Sequence, residues 1–171
     1  MSHYLIRIIA EGDTPKEAVE NAENYADYLV EKGDFDYHKS DGMWDNIKLG
    51  KARSVNSREG SRLIDDAMKG SRREFDIALT HARYMLDHYT PDQIYEEEFG
   101  TQEQQNEIRK ENKDIYYLSR YMFSKLDGGM GTSYLYADGN VWGGAIESEK
   151  ALKHVLNEGK KLWVVAFDMH N

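Results

Sequence analysis

Tyr4-Leu5-Ile6-Arg7-Ile8-Ile9-Ala10-Glu11-Gly12-Asp13-Thr14-Pro15-Lys16-Glu17 is the stretch that decides how this chain folds. Residues 4 to 10 are apolar on nearly every position of both faces that a strand would present, so they read as a central strand, with Arg7 the one polar interruption. Glu11-Gly12 ends it. Thr14-Pro15-Lys16-Glu17 then combines a Thr N-cap, Pro at the first helical position and Glu at the third, a pattern that satisfies otherwise orphaned N–H groups and starts a helix.

Working outward, Ala18, Val19, Ala22, Tyr25, Ala26, Leu29 and Val30 recur at 3.6-residue spacing, and Gly33 supplies a stop. Phe35 to Lys39 alternates as an extra edge strand would. The capping pattern returns at Ser71 with Glu74, Thr90 with Gln93 and Thr101 with Gln104. Between these signals Phe75, Ala78, Leu79, Ala82, Met85, Leu86 and Tyr89 define one amphipathic helix, and Ile108, Ile115, Leu118, Met122 and Leu126 a longer one. Gly128, Gly129 and Gly131 terminate that helix. Thr132 to Ala137 and Asn140 to Ile146 then read as a hairpin across a two-residue Asp138-Gly139 turn, with Tyr136 opposite Val141 and Leu135 opposite Trp142. Ser148 opens a short helix through Leu156, and Leu162 to Phe167 is a final strand.

Without the helical middle, the order is strand, helix, hairpin, helix, strand. It predicts an α+β protein of ferredoxin-like, split β-α-β topology, with an antiparallel sheet in which the first and last strands are neighbours. Residues 1–171 then form a single domain, and residues 45–128 a long helical insertion between the first helix and the second strand. That topology serves many unrelated activities and implies none of them.

Composition narrows the function classes. The chain has 171 residues, a formal net charge of −9 and no cysteine. Disulfide scaffolds, thiol catalysis, thiolate zinc sites and iron-sulfur clusters are excluded. Aliphatic residues are sparse, but 12 Tyr, 7 Met and 3 Trp supply the remaining apolar bulk for a core. With no long apolar run and no secretory leader, the expected location is cytoplasmic and away from membranes.

Charge is unevenly placed. Residues 48 to 73 hold eight Lys and Arg against three acidic residues, a local excess of +5 in an acidic chain. Arg53, Arg58, Arg62, Arg72 and Arg73 are therefore the candidate ligand-binding residues, suited to a phosphate-bearing or other anionic ligand. The competing reading is a solvated face, paired with the protein's own carboxylates.

Histidine offers less. Glu74, His81 and His88 recur every seven residues along one helix, but the chain has no Glu-x-x-His or His-Glu-x-x-His pair. The acidic stretch from Asp34 to Asp41 lacks the glycine and closing Glu of a calcium loop. No metal and no cofactor is expected on these grounds. Tyr134, Tyr136 and Trp142 would stack bases in an RNA-binding relative of this topology, yet the matching glycine-aromatic pattern is missing and the chain is acidic, so nucleic acid is disfavoured.

The expected function is that of a small, non-enzymatic binding or regulatory protein, engaging a protein partner or phosphate-bearing ligand through the arginine-rich insertion. Two rivals stand beside it. One is a hydrolase or transferase acting on a phosphorylated small molecule, with the arginines as clamp and His81, His88 or Asp36 as acid or base. The other is a structural subunit that assembles with copies of itself.

Overall fold

Strand β1 (His3–Glu11) is buried along most of its length because layers cover both of its faces. A computed structural model of the chain describes residues 2–117, 126 and 133–170. The chain forms two compact units, Met1–Ser71 with Ser133–Asn171, and Arg72–Thr132. Among the described residues no helix is long and apolar enough to cross a membrane.

The first unit is a mixed sheet with helices. Helix α1 (Pro15–Glu31) begins where the capping pattern puts it: Thr14 Oγ accepts the Glu17 N–H, and the Glu17 carboxylate reaches back to the Asp13 N–H. Its Ala22, Tyr25, Ala26 and Leu29 pack on Ile6, Ile8 and Ala10 of β1 and on Val165, Phe167 and Met169 of β8 (Leu162–His170). The opposite face is covered by the first half of α2 (Arg58–His88), through Leu63, Ile64 and Ala67, and by Val155 of α6 (Glu149–Leu156). This double cover is the physical reason why a near-continuous apolar run, rather than an alternating one, forms the central strand.

β1 and β8 pair antiparallel along nine residues, from His3 opposite His170 to Glu11 opposite Leu162, as expected for first and last strands. β2 (Tyr37–Lys39) is the expected edge strand and pairs with the end of β8. Three short strands lie outside the residue pattern of the sequence. β3 (Met43–Trp44) and β4 (Ile47–Lys48) make a small hairpin, with Asp45 and Asn46 at positive φ, and β5 (Arg53–Ser54) pairs with the start of β8. Between β2 and β5, Gly50 donates its N–H to Ala166 O at φ +61, where a Cβ would lie 2.0 Å from Ser40 O. Only glycine fits there.

The sheet order corrects the expected topology. β6 (Leu135–Ala137) lies directly beside β1 and parallel to it, and β7 (Gly144–Ala145) lies outside β6. In the split arrangement a strand separates these parallel neighbours and the sheet is antiparallel throughout; here the sheet is mixed. The reason is local. Leu135 and Ala137 are fully buried against Ile9 and α2, and Arg7 N–H and Ile9 C=O bond to Tyr134 and Asp138, so the edge of β6 toward β1 is filled by β1 itself.

The hairpin register differs too. Tyr136 faces Ala145 and Ala137 faces Gly144 across a loop from Asp138 to Gly143. Asp138 sets this loop, its Oδ1 accepting the N–H groups of Asn140 and Val141 and its carbonyl those of Val141, Trp142 and Gly143. An Asx turn thereby displaces the tight two-residue turn, turning Val141 into the core and leaving Trp142 exposed.

The second unit is helical where it is described: the rest of α2, α3 (Pro91–Phe99), α4 (Gln102–Glu111) and α5 (Ile115–Tyr117). Thr90 and Thr101 form complete capping boxes with Gln93 and Gln104. Ser71 does not cap a helix. It lies within α2, donating to Ala67 O and accepting the Tyr134 N–H, and α2 instead starts behind Ser57, whose Oγ accepts the Gly60 N–H. Ile108 and Ile115 do not share one helix, because α4 stops at Asn112. Leu118, Met122 and the glycines from Gly128 to Gly131 lie outside the described residues.

Candidate functional site

The β1/β8 register brings together three side chains that are far apart in sequence. His3 sits directly opposite His170, and Asp168, two residues back along β8, projects from the same face. His3 Nδ1 lies 3.1 and 3.2 Å from the two carboxylate oxygens of Asp168, and His170 Nε2 lies 3.1 Å from Oδ2. One donor atom from each residue falls within 4.8 Å of the others.

The surroundings hold this cluster in place. The Tyr37 ring stacks on His170 at 4.0 Å, the His3 ring meets His170 edge-on at 3.9 Å, and Trp44 of the small hairpin lies 6.2 Å from His3. Next along the same face of β1 and β8, Leu5 and Ala166 form a buried apolar cluster with Leu49. Exposure is graded across the site: side-chain exposure is 1% for His170, 11% for Asp168 and 47% for His3. One end is fixed in the protein and the other opens to water.

Such a set can act in two ways. As a hydrogen-bonded triad, Asp168 accepts from both imidazoles. As a ligand set, two imidazole nitrogens and one carboxylate oxygen match the donors that hold zinc and other first-row divalent ions. Around an ion with bonds of about 2.0–2.2 Å, neighbouring ligand atoms stand ~3.0–3.4 Å apart, which is the separation of Asp168 from each of the two imidazoles.

The expectation of no metal rested on the missing cysteines, on His and Glu spacing within one helix and on the calcium-loop pattern, and a pair of strands displays none of these. The weak signal lay in Asp168-x-His170, whose alternation puts both side chains on one face of a strand. His3, at the other end of the sequence, carried no such signal.

The arginines are placed differently from one another. Arg53 is buried: its Nε bonds Glu59 and its Nη1 donates to Lys48 O and Lys51 O, tying the segment between β4 and β5. The same bond holds the Glu59 carboxyl below its usual range. Arg58 and Arg62 are exposed, one turn apart at the start of α2. Arg72 and Arg73 are exposed in the second unit, where Arg72 pairs with Asp76. Arg7 is buried beside Leu5, to whose carbonyl its Nη1 donates at 2.7 Å, and burial lowers its pKa from the ordinary value.

Of the acid–base candidates, His81 and His88 belong to the second unit, and His88 bonds to Tyr84 O while stacking on the Tyr84 ring. Asp36 belongs to the first, where its N–H donates to His170 O.

Neither the curated proteins nor the solved structures contain a significant match to the chain. One family profile covers residues 2–171, and by that match the chain belongs to the family described as domain of unknown function DUF7995.

Proposed function

We propose that this protein binds a divalent first-row transition-metal ion through His3, Asp168 and His170. One observation carries the reading: two imidazole nitrogens and a carboxylate oxygen share one face of the sheet within 4.8 Å of one another, two of the three residues being buried. Nitrogen and oxygen donors without thiolate favour zinc, iron, manganese, cobalt or nickel over copper(I). The protein stays in the binding class, and a cysteine-free chain with these donors is compatible with a cytoplasmic setting.

Titration calorimetry with Zn²⁺ tests this. The expected result is one equivalent per chain. Asp168→Ala and His170→Ala should weaken binding by more than the about 10- to 100-fold that losing an outer-shell partner costs, while circular dichroism confirms folding. His38→Ala removes an imidazole held by Asp27 and should bind as the parent does. Absence of stoichiometric binding, or unchanged affinity in the Asp168 and His170 variants, overturns the reading.

A second reading rests on Arg58 and Arg62, exposed and four residues apart in the first turns of α2. They suit an anionic ligand or an acidic partner surface. Salt-sensitive binding of inorganic phosphate or a polyanion, lost in the Arg58→Ala, Arg62→Ala double variant at unchanged melting temperature, is its test.

A further inference from the structure

We propose that Arg7 binds one small, singly charged oxyanion, a carboxylate, through the Nε and Nη2 edge of its guanidinium, where the pairing of β1 with β6 ends. This site uses none of the metal donors and stands or falls apart from them.

Backbone pairing places the side chain. The Arg7 N–H donates to Tyr134 O and Ile9 O accepts the Asp138 N–H, so by strand alternation Leu5 O also points toward β6. The next rung of this parallel ladder would join the Tyr134 N–H to Leu5 O. Ser71 Oγ takes that N–H instead, and Leu5 O accepts from Arg7 Nη1 at 2.7 Å. The Arg7 side chain therefore turns back along its own strand to the position where the ladder stops.

One edge of the guanidinium is left unused. Nη1 lies on the Cδ side, so once it is committed the remaining edge is Nε with Nη2, the fork that takes both oxygens of one anionic group. Arg109 uses that edge on the Glu97 carboxylate, and buried Arg53 places its Nε on Glu59. In Arg7, Nε is sealed from water without a hydrogen-bond partner; Nη2 makes no bond either, but is not sealed. Arg7 as a whole is only 8% exposed, and an unsatisfied charged donor at such depth is costly.

Two features set the ligand. The narrow exposure of Arg7 admits only a small group. Asp66 of α2 acts on the guanidinium from beyond ion-pair reach, and its charge opposes a second negative charge on the ligand, which favours a carboxylate over phosphate.

Nuclear magnetic resonance of the ¹⁵N-labelled, full-length protein tests this after chelator treatment, so that no bound metal takes the anion. Sodium formate is titrated against sodium chloride at constant ionic strength, with sodium phosphate as a parallel arm. The expected result is a saturable formate shift of the Arg7 Nε–H and Tyr134 amide signals, with a Kd on the order of 1 mM or weaker, the ceiling for so small a ligand. Arg7→Lys keeps the charge but loses the fork, and should weaken the Tyr134 response about ten-fold or more. Asp66→Asn removes the opposing charge from an exposed position and should tighten binding about two- to five-fold. Lys150→Ala, exposed on α6, should change nothing.

An Arg7 Nε–H signal indifferent to formate, or shifted equally by chloride, overturns the proposal. Equal formate affinity in Asp66→Asn and the parent overturns it as well, and both measurements stand even where Arg7→Lys fails to fold. Phosphate binding tighter than formate overturns the carboxylate assignment.

Discussion

Among the described residues, Ile6, Ile8, Ile9, Val164, Val165 and Phe167 of the sheet unit are all buried between two layers, whereas in the helical unit Phe75, Leu86, Tyr95 and Phe99 stay exposed and Met85, Tyr89 and Ile115 form a small core. The two units are held by different physics. Apolar burial between partners distant in sequence dominates the first. The second relies on local caps and on polar pairs: Glu97, itself buried, accepts a two-pronged bond from Arg109, whose guanidinium also lies over the Tyr116 ring, and Tyr89 bonds Asp114. The candidate metal donors sit where non-local pairing is longest, because only such pairing holds residues from opposite ends of a chain at bonding distance.

The largest expected effect breaks the sheet core. Phe167→Ala should cost about 3–5 kcal/mol in urea unfolding, since the ring is fully buried against α1 and leaves a cavity that strands on both sides prevent from closing. Met85→Ala should cost less, about 2 kcal/mol, because its smaller cluster can collapse around the gap. Equal losses would show that the helical core is as well packed as the sheet, and would end the contrast.

Next is the polar support of the helical unit. Glu97→Ala leaves the Arg109 guanidinium without its carboxylate, at an expected cost of about 1–3 kcal/mol; with the Arg109 side chain 31% exposed, water moderates the loss. A change below about 0.5 kcal/mol would mean that the pair is only a surface ion pair.

The smallest effect sharpens the account of the hairpin loop. Burial raises the Asp138 carboxyl above its usual range, although the Asn140 and Val141 N–H groups favour its charged form. The folded protein therefore keeps a proton that the unfolded chain releases. The contribution of this group to stability is present in acid and is lost as pH rises through the folded-state value. Compared with Asp138→Asn, the parent should be relatively more stable near pH 4 than at pH 7, measured by urea unfolding at both values. The reverse dependence, with the parent relatively more stable at pH 7 than near pH 4, would show that the N–H groups, rather than burial, control this carboxyl.

Legibility in the sequence followed the range of the interaction. The caps at Thr14, Thr90, Thr101 and Ser148 are where the residue pattern puts them, because each is a bond between a side chain and a backbone N–H three residues on. Ser71 carried the same signal and is no cap: its hydroxyl is engaged by Ala67 and by Tyr134, 63 residues away, and the helix runs through it. The arginine excess was visible, yet composition did not separate buried Arg53 from exposed Arg58 and Arg62.

By itself the sequence determined the central position of β1, through apolar residues on both faces, its pairing with the last strand, and the local starts of α1, α3, α4 and α6. Tertiary structure alone decided which hairpin strand lies against β1, because burial of Leu135 and Ala137 competes with the choice of turn at Asp138. It alone decided the site as well. His3 and Asp168 are separated by 165 positions, and no spacing rule spans such a distance; the nine-residue β1/β8 register converts it into a contact of 3.1 Å.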